Sequence, residues 1–197
     1  MSAFPTKVRI VEVGARDGLQ NEKTVSTADK VALINALSAA GLKDIEAGAF
    51  VSPKWVPQMA DSADVISALN LPDVNLSALT PNLKGAQAAH VVGIKEFAIF
   101  TAASESFCQK NINCSIEQSI KRFSEVMAFA KANNIRVRGY VSCVLGCPYE
   151  GEIDPQAVLN VSQKLLDLGC YEVSLGDTIG VGTAKKVTQL IELLLTH

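Results

Sequence analysis

Histidine is almost absent: His90 and His197 are the only two in 197 residues. Neither lies near the cysteines, so Cys143 and Cys147, with three residues between them, make a poor zinc signature. An excess of positive charge is also missing. Lys and Arg total 18 against 20 Asp and Glu, a formal charge of −2, which provides no basic field to recruit nucleic acid or an anionic membrane surface. No apolar run approaches the ~20 residues that span a bilayer. The five cysteines, Cys108, Cys114, Cys143, Cys147 and Cys170, are an odd number without a signal peptide, which favours reduced thiols in a cytoplasm over a disulfide framework. A strand entered by about Lys7 is expected to leave no room for a cleavable presequence. Aromatics are scarce, 6% against 48% hydrophobic residues, the balance of an aliphatic-packed α/β protein. No linker or low-complexity segment breaks the chain, and residues 1–197 read as a single domain.

What is present is a repeating grammar of helix, short stop and buried strand. Ser26 offers an N-cap to a helix with Val31, Leu33, Ile34, Leu37 and Ala40 on its apolar face, which Gly41 stops. Strands are expected at Lys43–Phe50, Val74–Leu79, Glu96–Thr101, Val137–Cys143 and Tyr171–Leu175. Helices are expected over about 61–70 and 81–92, from Ser115 with Gln118 as a capping box, from Asp154-Pro155 to Gly169, and from about Thr183. Six βα units of this spacing argue for a parallel sheet covered by helices, either doubly wound or closed into a barrel. Glu46, Arg138 and Tyr140 lie inside strands, where the top layer of a barrel holds polar groups over an active site.

The first unit is the most informative. Val8, Ile10, Val11 and Val13 read as a pleated, buried strand running into Gly14-Ala15-Arg16-Asp17-Gly18-Leu19-Gln20-Asn21-Glu22. Arg16 and Asp17 therefore follow a strand's C-terminal end, where α/β folds bind ligands; a surface ion pair in the loop is the structural alternative. Asp17 suits a hard cation such as Mg²⁺ or Mn²⁺, and Arg16 suits a developing oxyanion. Gln20 reads as a substrate contact or an exposed amide. Glu46 in mid-strand requires a partner, and a salt bridge to Arg138 is the structural reading. Asp177, ending the sixth strand, is a site residue or the cap of an Asx turn. Lys110 in Lys110-Asn111-Ile112-Asn113 meets a phosphate or belongs to a solvated loop.

The string RDGLQNE resembles the first-strand motif of the 3-hydroxy-3-methylglutaryl-CoA lyase family, which belongs to a metal-dependent barrel superfamily with the isopropylmalate and homocitrate synthases. FVSPKWVPQM at 50–59, TPNLKG at 80–85, KNINCSIE at 110–117, RGYVSCVLGCPYEG at 138–151 and SLGDTIGVGT at 174–183 extend that resemblance over nearly the whole chain. It implies a (β/α)₈ TIM barrel of typically ~250 residues, of which this chain holds about six of the eight units. It implies retro-Claisen cleavage of an acyl-CoA to acetyl-CoA and acetoacetate, with a divalent cation as cofactor and a possible homo-oligomer. The resemblance gives Asp17 a metal-ligand role, completed by two His and an Asn from units this chain lacks. It makes Arg16 the stabiliser of the enolate oxygen, sets Glu46 beside Arg16, and brings Asp177 close to the substrate. Gly146-Cys147-Pro148-Tyr149 mimics the family's catalytic cysteine loop, but the family pattern carries this fifth-strand copy separately, so the acid role does not pass to Cys147. A condensing synthase of the same superfamily and a non-catalytic barrel fragment are the rival readings.

Overall fold

The computed structural model describes residues 7–196, so expectations resting on residues 1–6 and on His197 fall outside it. The elements run β1 (Val11–Glu12), α1 (Thr27–Ala39), β2 (Asp44–Ala49), α2 (Ser62–Ala68), β3 (Asn75–Leu79), α3 (Leu83–Val91) and β4 (Glu96–Ala102). They continue as α4 (Glu105–Ile112), α5 (Ile116–Ala132), β5 (Arg136–Ser142), α6 (Pro155–Leu168), β6 (Glu172–Leu175) and α7 (Ala184–Leu195). The strands follow one another in the sheet in chain order, β1 to β6. The pairs β1–β2, β2–β3 and β5–β6 are parallel, as βα alternation requires. The chain divides into two compact units. One comprises residues up to Thr80 together with Lys84–Phe97, the other Pro81–Leu83 together with the chain from Ala98 onward.

In the first unit, Ile34 of α1, Ile45 of β2, Val65 and Ile66 of α2, and Ala78 and Leu79 of β3 are buried. Strand β2 is buried from Ile45 to Ala49, and a register shift between Glu46 and Gly48 interrupts its pairing with β3. Such a bulge re-aims the neighbouring side chains, and Glu46 is one of them. At Gly48 the start of α2 approaches the strand closely: a Cβ there would lie 2.7 Å from Ser62 Oγ. That hydroxyl accepts from Ala49 N at 3.1 Å and donates to Met59 O at 2.8 Å, closing the β2–α2 connection.

In the second unit, Ile99, Phe123, Val126, Val137, Val141, Val158 and Leu165 form the core. Its helices start and stop as their sequences indicate. Ser115 and Gln118 make a reciprocal capping box on α5, Asp154 caps α6 ahead of Pro155, and Gly169 ends α6 at φ 108°.

Two expectations are corrected here. The strand anticipated from Val8 to Val13 is reduced to Val11–Glu12, and Val8 and Ile10 are 70% and 63% exposed. Among the described residues β1 ends the strand order and pairs with β2 alone, so β propensity there has little sheet to pack against. The segment containing Lys110 is not a loop but the last turn of α4, capped by Ser104 through Phe107 N at 3.0 Å and ended by Asn113 at φ 51°.

Candidate active site

The chain after β1 does not turn loosely; it winds one π-helical turn over Gly14–Gly18. Val13 O accepts from Arg16 N at 3.1 Å and Asp17 N at 2.7 Å, and Gly14 O accepts from Leu19 N at 3.0 Å. Glu12 Oε1 accepts from Gly14 N at 2.6 Å and so caps the turn's start. Single π turns are concentrated at functional sites because the widened ring re-aims side chains. This one directs Arg16 inward, 8% exposed, and leaves the Asp17 side chain 63% exposed.

Glu46, 1% exposed, accepts a hydrogen bond from Arg16 Nε. Arg16 Nη1 also donates to Asp17 Oδ1 at 2.7 Å. A carboxylate this deep requires a partner of opposite charge, and the bulged β2 brings it to the guanidinium. Arg16, Asp17 and Glu46 are thus brought together. Gln20 follows on the same turn, half-buried, and its side chain makes no hydrogen bond among the described residues. Arg138, the alternative partner weighed for Glu46, is paired with the Tyr171 hydroxyl at 3.1 Å and Glu172 at 3.4 Å.

Sequence reasoning missed the residue beneath this turn. Gln58, 4% exposed, lies in a 3₁₀ turn over Pro57–Met59. Its amide donates to Leu19 O at 3.2 Å and Lys23 O at 3.1 Å, and its oxygen accepts from Val25 N at 2.9 Å. Lys30, also buried, donates to the Gln58 carbonyl and reaches Asp61 Oδ1 at 2.5 Å. Burial acts to raise the Asp61 pKa, but hydrogen bonds from Lys30 and Thr27 and the Lys30 charge hold it below the usual Asp value. The one sequence signal for Gln58 was a polar residue directly after Pro57 and before an apolar Met59.

In the second unit, Asp177 is exposed just past β6. Its Oδ1 accepts from Val181 N at 3.1 Å and Oδ2 from Gly182 N at 2.8 Å, so the carboxylate organises its own loop. Cys147 is buried, with its Sγ 3.1 Å from Ser104 Oγ and 3.4 Å from Tyr149 N. Burial acts to raise its pKa; the Ser104 hydroxyl, the Tyr149 and Glu150 backbone N–H groups and Cys143 lower it below the usual thiol value. Burial pushes Cys143 and Cys170 up to about 12. Lys110 Nζ lies 4.0 Å from the centre of the Tyr149 ring, a cation–π contact.

A divalent cation is tested by the donors at hand. Among the described residues no group of three or more His, Cys, Asp and Glu side chains is placed to hold a metal. Asp17 offers one exposed carboxylate, which does not make a site by itself. Among the described residues all five cysteines are free, and no helix is long and apolar enough to cross a membrane.

Residues 7–197 match the HMGL-like family. A 3-hydroxy-3-isohexenylglutaryl-CoA/hydroxy-methylglutaryl-CoA lyase of Pseudomonas aeruginosa is 60% identical over 196 residues, covering 98% of this chain and 65% of its own length. A crystal structure of hydroxymethylglutaryl-CoA lyase from Pseudomonas aeruginosa superposes with a TM-score of 0.94 at 58% identity, covering 98% of this chain and 65% of that one. An HMG-CoA lyase of Acinetobacter baumannii, in complex with coenzyme A and 3-methylmalate, gives a TM-score of 0.92 at 33% identity over 100% of this chain and 65% of its own. The chain thus spans just under two thirds of the length of these relatives, and its fold is six βα units of the (β/α)₈ TIM-barrel class. On the match over residues 7–197, which takes in both units, the chain belongs to the HMGL-like family.

Proposed function

We propose that this chain supplies the strand-end machinery of a hydroxymethylglutaryl-CoA lyase, which cleaves 3-hydroxy-3-methylglutaryl-CoA to acetyl-CoA and acetoacetate. The observation that carries the reading is Arg16, a buried guanidinium at the end of β1 oriented by the buried carboxylate of Glu46. In the reaction a base removes the proton of the tertiary hydroxyl. The bond from that carbon to the carbon beside the thioester then breaks. The hydroxyl-bearing carbon leaves as the ketone of acetoacetate, and the bonding pair becomes the enolate of acetyl-CoA, which takes up a proton. Negative charge accumulates on the thioester oxygen only as the bond breaks, and a preorganised Arg16 stabilises that state more than the ground state. Glu46 positions Arg16. Gln20 and Asp177 are proposed substrate contacts.

An acyl-CoA substrate is supported by the coenzyme A in the Acinetobacter baumannii structure. Asp17 is proposed as one ligand of Mg²⁺ or Mn²⁺, completed by groups outside this chain. When bound, such an ion supplies Lewis acidity; the steps assigned to Arg16 and Glu46 do not depend on it. A cytoplasmic location, with which the free thiols are consistent, is a further part of the proposal, and homo-oligomeric assembly is another, on which the thiols do not bear.

The test is an assay of the protein carrying this chain, with Mg²⁺ or Mn²⁺, for acetoacetate from 3-hydroxy-3-methylglutaryl-CoA. A fall of about 10²–10³-fold in kcat in Arg16→Gln, with the variant still folded, supports the reading. Release of free CoA from acetyl-CoA and a 2-oxo acid, without cleavage, would move the protein to the condensing synthases.

A further inference from the structure

We infer that Gln58 is a positioning residue that fixes the Arg16–Gln20 turn for catalysis, an inference that rests on the lyase reading. The segment from Leu19 to Val25 belongs to no helix or strand. Three of its backbone groups, Leu19 O, Lys23 O and Val25 N, are satisfied by the single buried side chain of Gln58. Two acceptors and one donor facing one side chain require two N–H donors and an oxygen together, and of the side chains of this length only a carboxamide has them. Glutamate keeps the acceptor and loses both donors; asparagine is one methylene too short to span the same three groups.

The position of Gln58 explains why this staple acts on the turn. Leu19 directly follows the π turn and closes it through Gly14 O at 3.0 Å. Its own carbonyl takes both Glu22 N at 3.0 Å and the Gln58 amide. Glu46 therefore grips Arg16 from β2, while Gln58, twelve residues further on, grips the backbone leaving the turn. Lys30 holds the Gln58 carbonyl and is itself anchored on Asp61, so the staple is built on α1 and the start of α2 rather than on a mobile loop. Asp17 is largely exposed and the Gln20 side chain makes no hydrogen bond among the described residues. Their placement depends on the backbone that Gln58 fixes. Displacing a positioned group by ~1 Å is enough to cost about 10²-fold in rate.

The experiment has two arms, on Gln58→Leu and Gln58→Glu. In the first, hydrogen exchange is followed by NMR in this chain, labelled with ¹⁵N-arginine and uniformly. The expected result is faster exchange at Val25 N–H and at Arg16 Nε–H together in Gln58→Leu, and at Arg16 Nε–H in Gln58→Glu, which keeps the acceptor of Val25 N–H, with β5, β6 and α6 amides as protected as before. Loss of protection at Val25 alone would overturn the inference, because the staple would then hold the loop without reaching Arg16. Uniform loss of protection in both variants would overturn it too, showing an anchor of the whole fold. The second arm measures cleavage in the protein carrying this chain. A fall of about 10²-fold in kcat with KM within a few-fold is expected; an unchanged kcat, or a loss confined to KM, overturns the positioning role. If the unsubstituted protein does not cleave the substrate, the lyase reading fails by itself, and the exchange arm still decides whether Gln58 governs Arg16.

Discussion

Arg16, the proposed stabiliser of the enolate oxygen, is held by a structural interaction with Glu46. The guanidinium is oriented because it neutralises a carboxylate 1% exposed inside β2. Arg16→Gln therefore has two consequences. Removing one preorganised oxyanion donor lowers kcat by about 10²–10³. Leaving Glu46 buried without this partner costs stability as well, about 3–5 kcal/mol for a broken buried pair, so a strand-end position does not make the substitution thermodynamically silent. Glu46→Gln in the same background removes the charge that Arg16 neutralised. The expected outcome is that the double variant recovers most of the lost stability by urea denaturation while kcat stays at the level of Arg16→Gln. Recovery of activity along with stability would show that Arg16 serves the fold and not the transition state.

At the level of elements, legibility followed how local the governing physics is. The start of α5 and both ends of α6 were readable because Ser115, Gln118, Asp154 and Gly169 act within one turn of themselves. β1 was over-read, since Val8 and Ile10 have the right propensity but the burial they require comes from neighbours far along the chain. α4 was missed although Ser104 and Asn113 bracket it, because no apolar period marks its eight residues. In the site, Arg16 and Asp17 were legible from a strand meeting charged residues. Arg16 as the partner of Glu46 came from the family resemblance and not from local pattern, which offered Arg138, and the staple at Gln58 was not legible at all, both being separations of 30 and more residues. The contact of α1 with the start of α2 illustrates the same limit, since Lys30, Thr27 and Asp61 meet only in the fold. Its pH dependence has a definite sign. The Asp61 pKa is lowered in the folded chain, so its contribution is present above the ordinary Asp value of ~3.9 and is lost as pH falls through the lowered one. The urea midpoint of the native chain should therefore exceed that of Asp61→Asn at pH 6, begin to approach it as pH falls below about 4 and converge on it only below the lowered Asp61 pKa. A gap that persists unchanged at acid pH would remove the Lys30–Asp61 pair as its source.

For the whole molecule, the decisive feature is apolar surface left uncovered at both ends of the strand order. In the first unit Val8 and Ile10 are 70% and 63% exposed beside β1. In the second, α7 buries Leu190 and exposes Val187, Ile191 and Leu195, and the segment leading to it exposes Ile179 and Val181. Burying apolar surface is worth ~25 cal/mol per Å², so a patch of roughly 300 Å² is worth several kcal/mol, comparable to the ~5–15 kcal/mol that holds a domain together. End strands also present backbone groups that pair readily with another copy. The 197-residue chain is therefore expected to self-associate with rising concentration in sedimentation velocity and to bind ANS. Val187→Lys with Ile191→Glu should reduce association through α7, and Val8→Lys with Ile10→Glu association through β1. None of these positions belongs to the buried core, Val187 and Ile191 being 43% and 39% exposed, so the variants should keep the helical circular dichroism of the parent. A chain that is monomeric at every concentration, with no ANS signal, would show that these surfaces are too small or too dispersed to drive association.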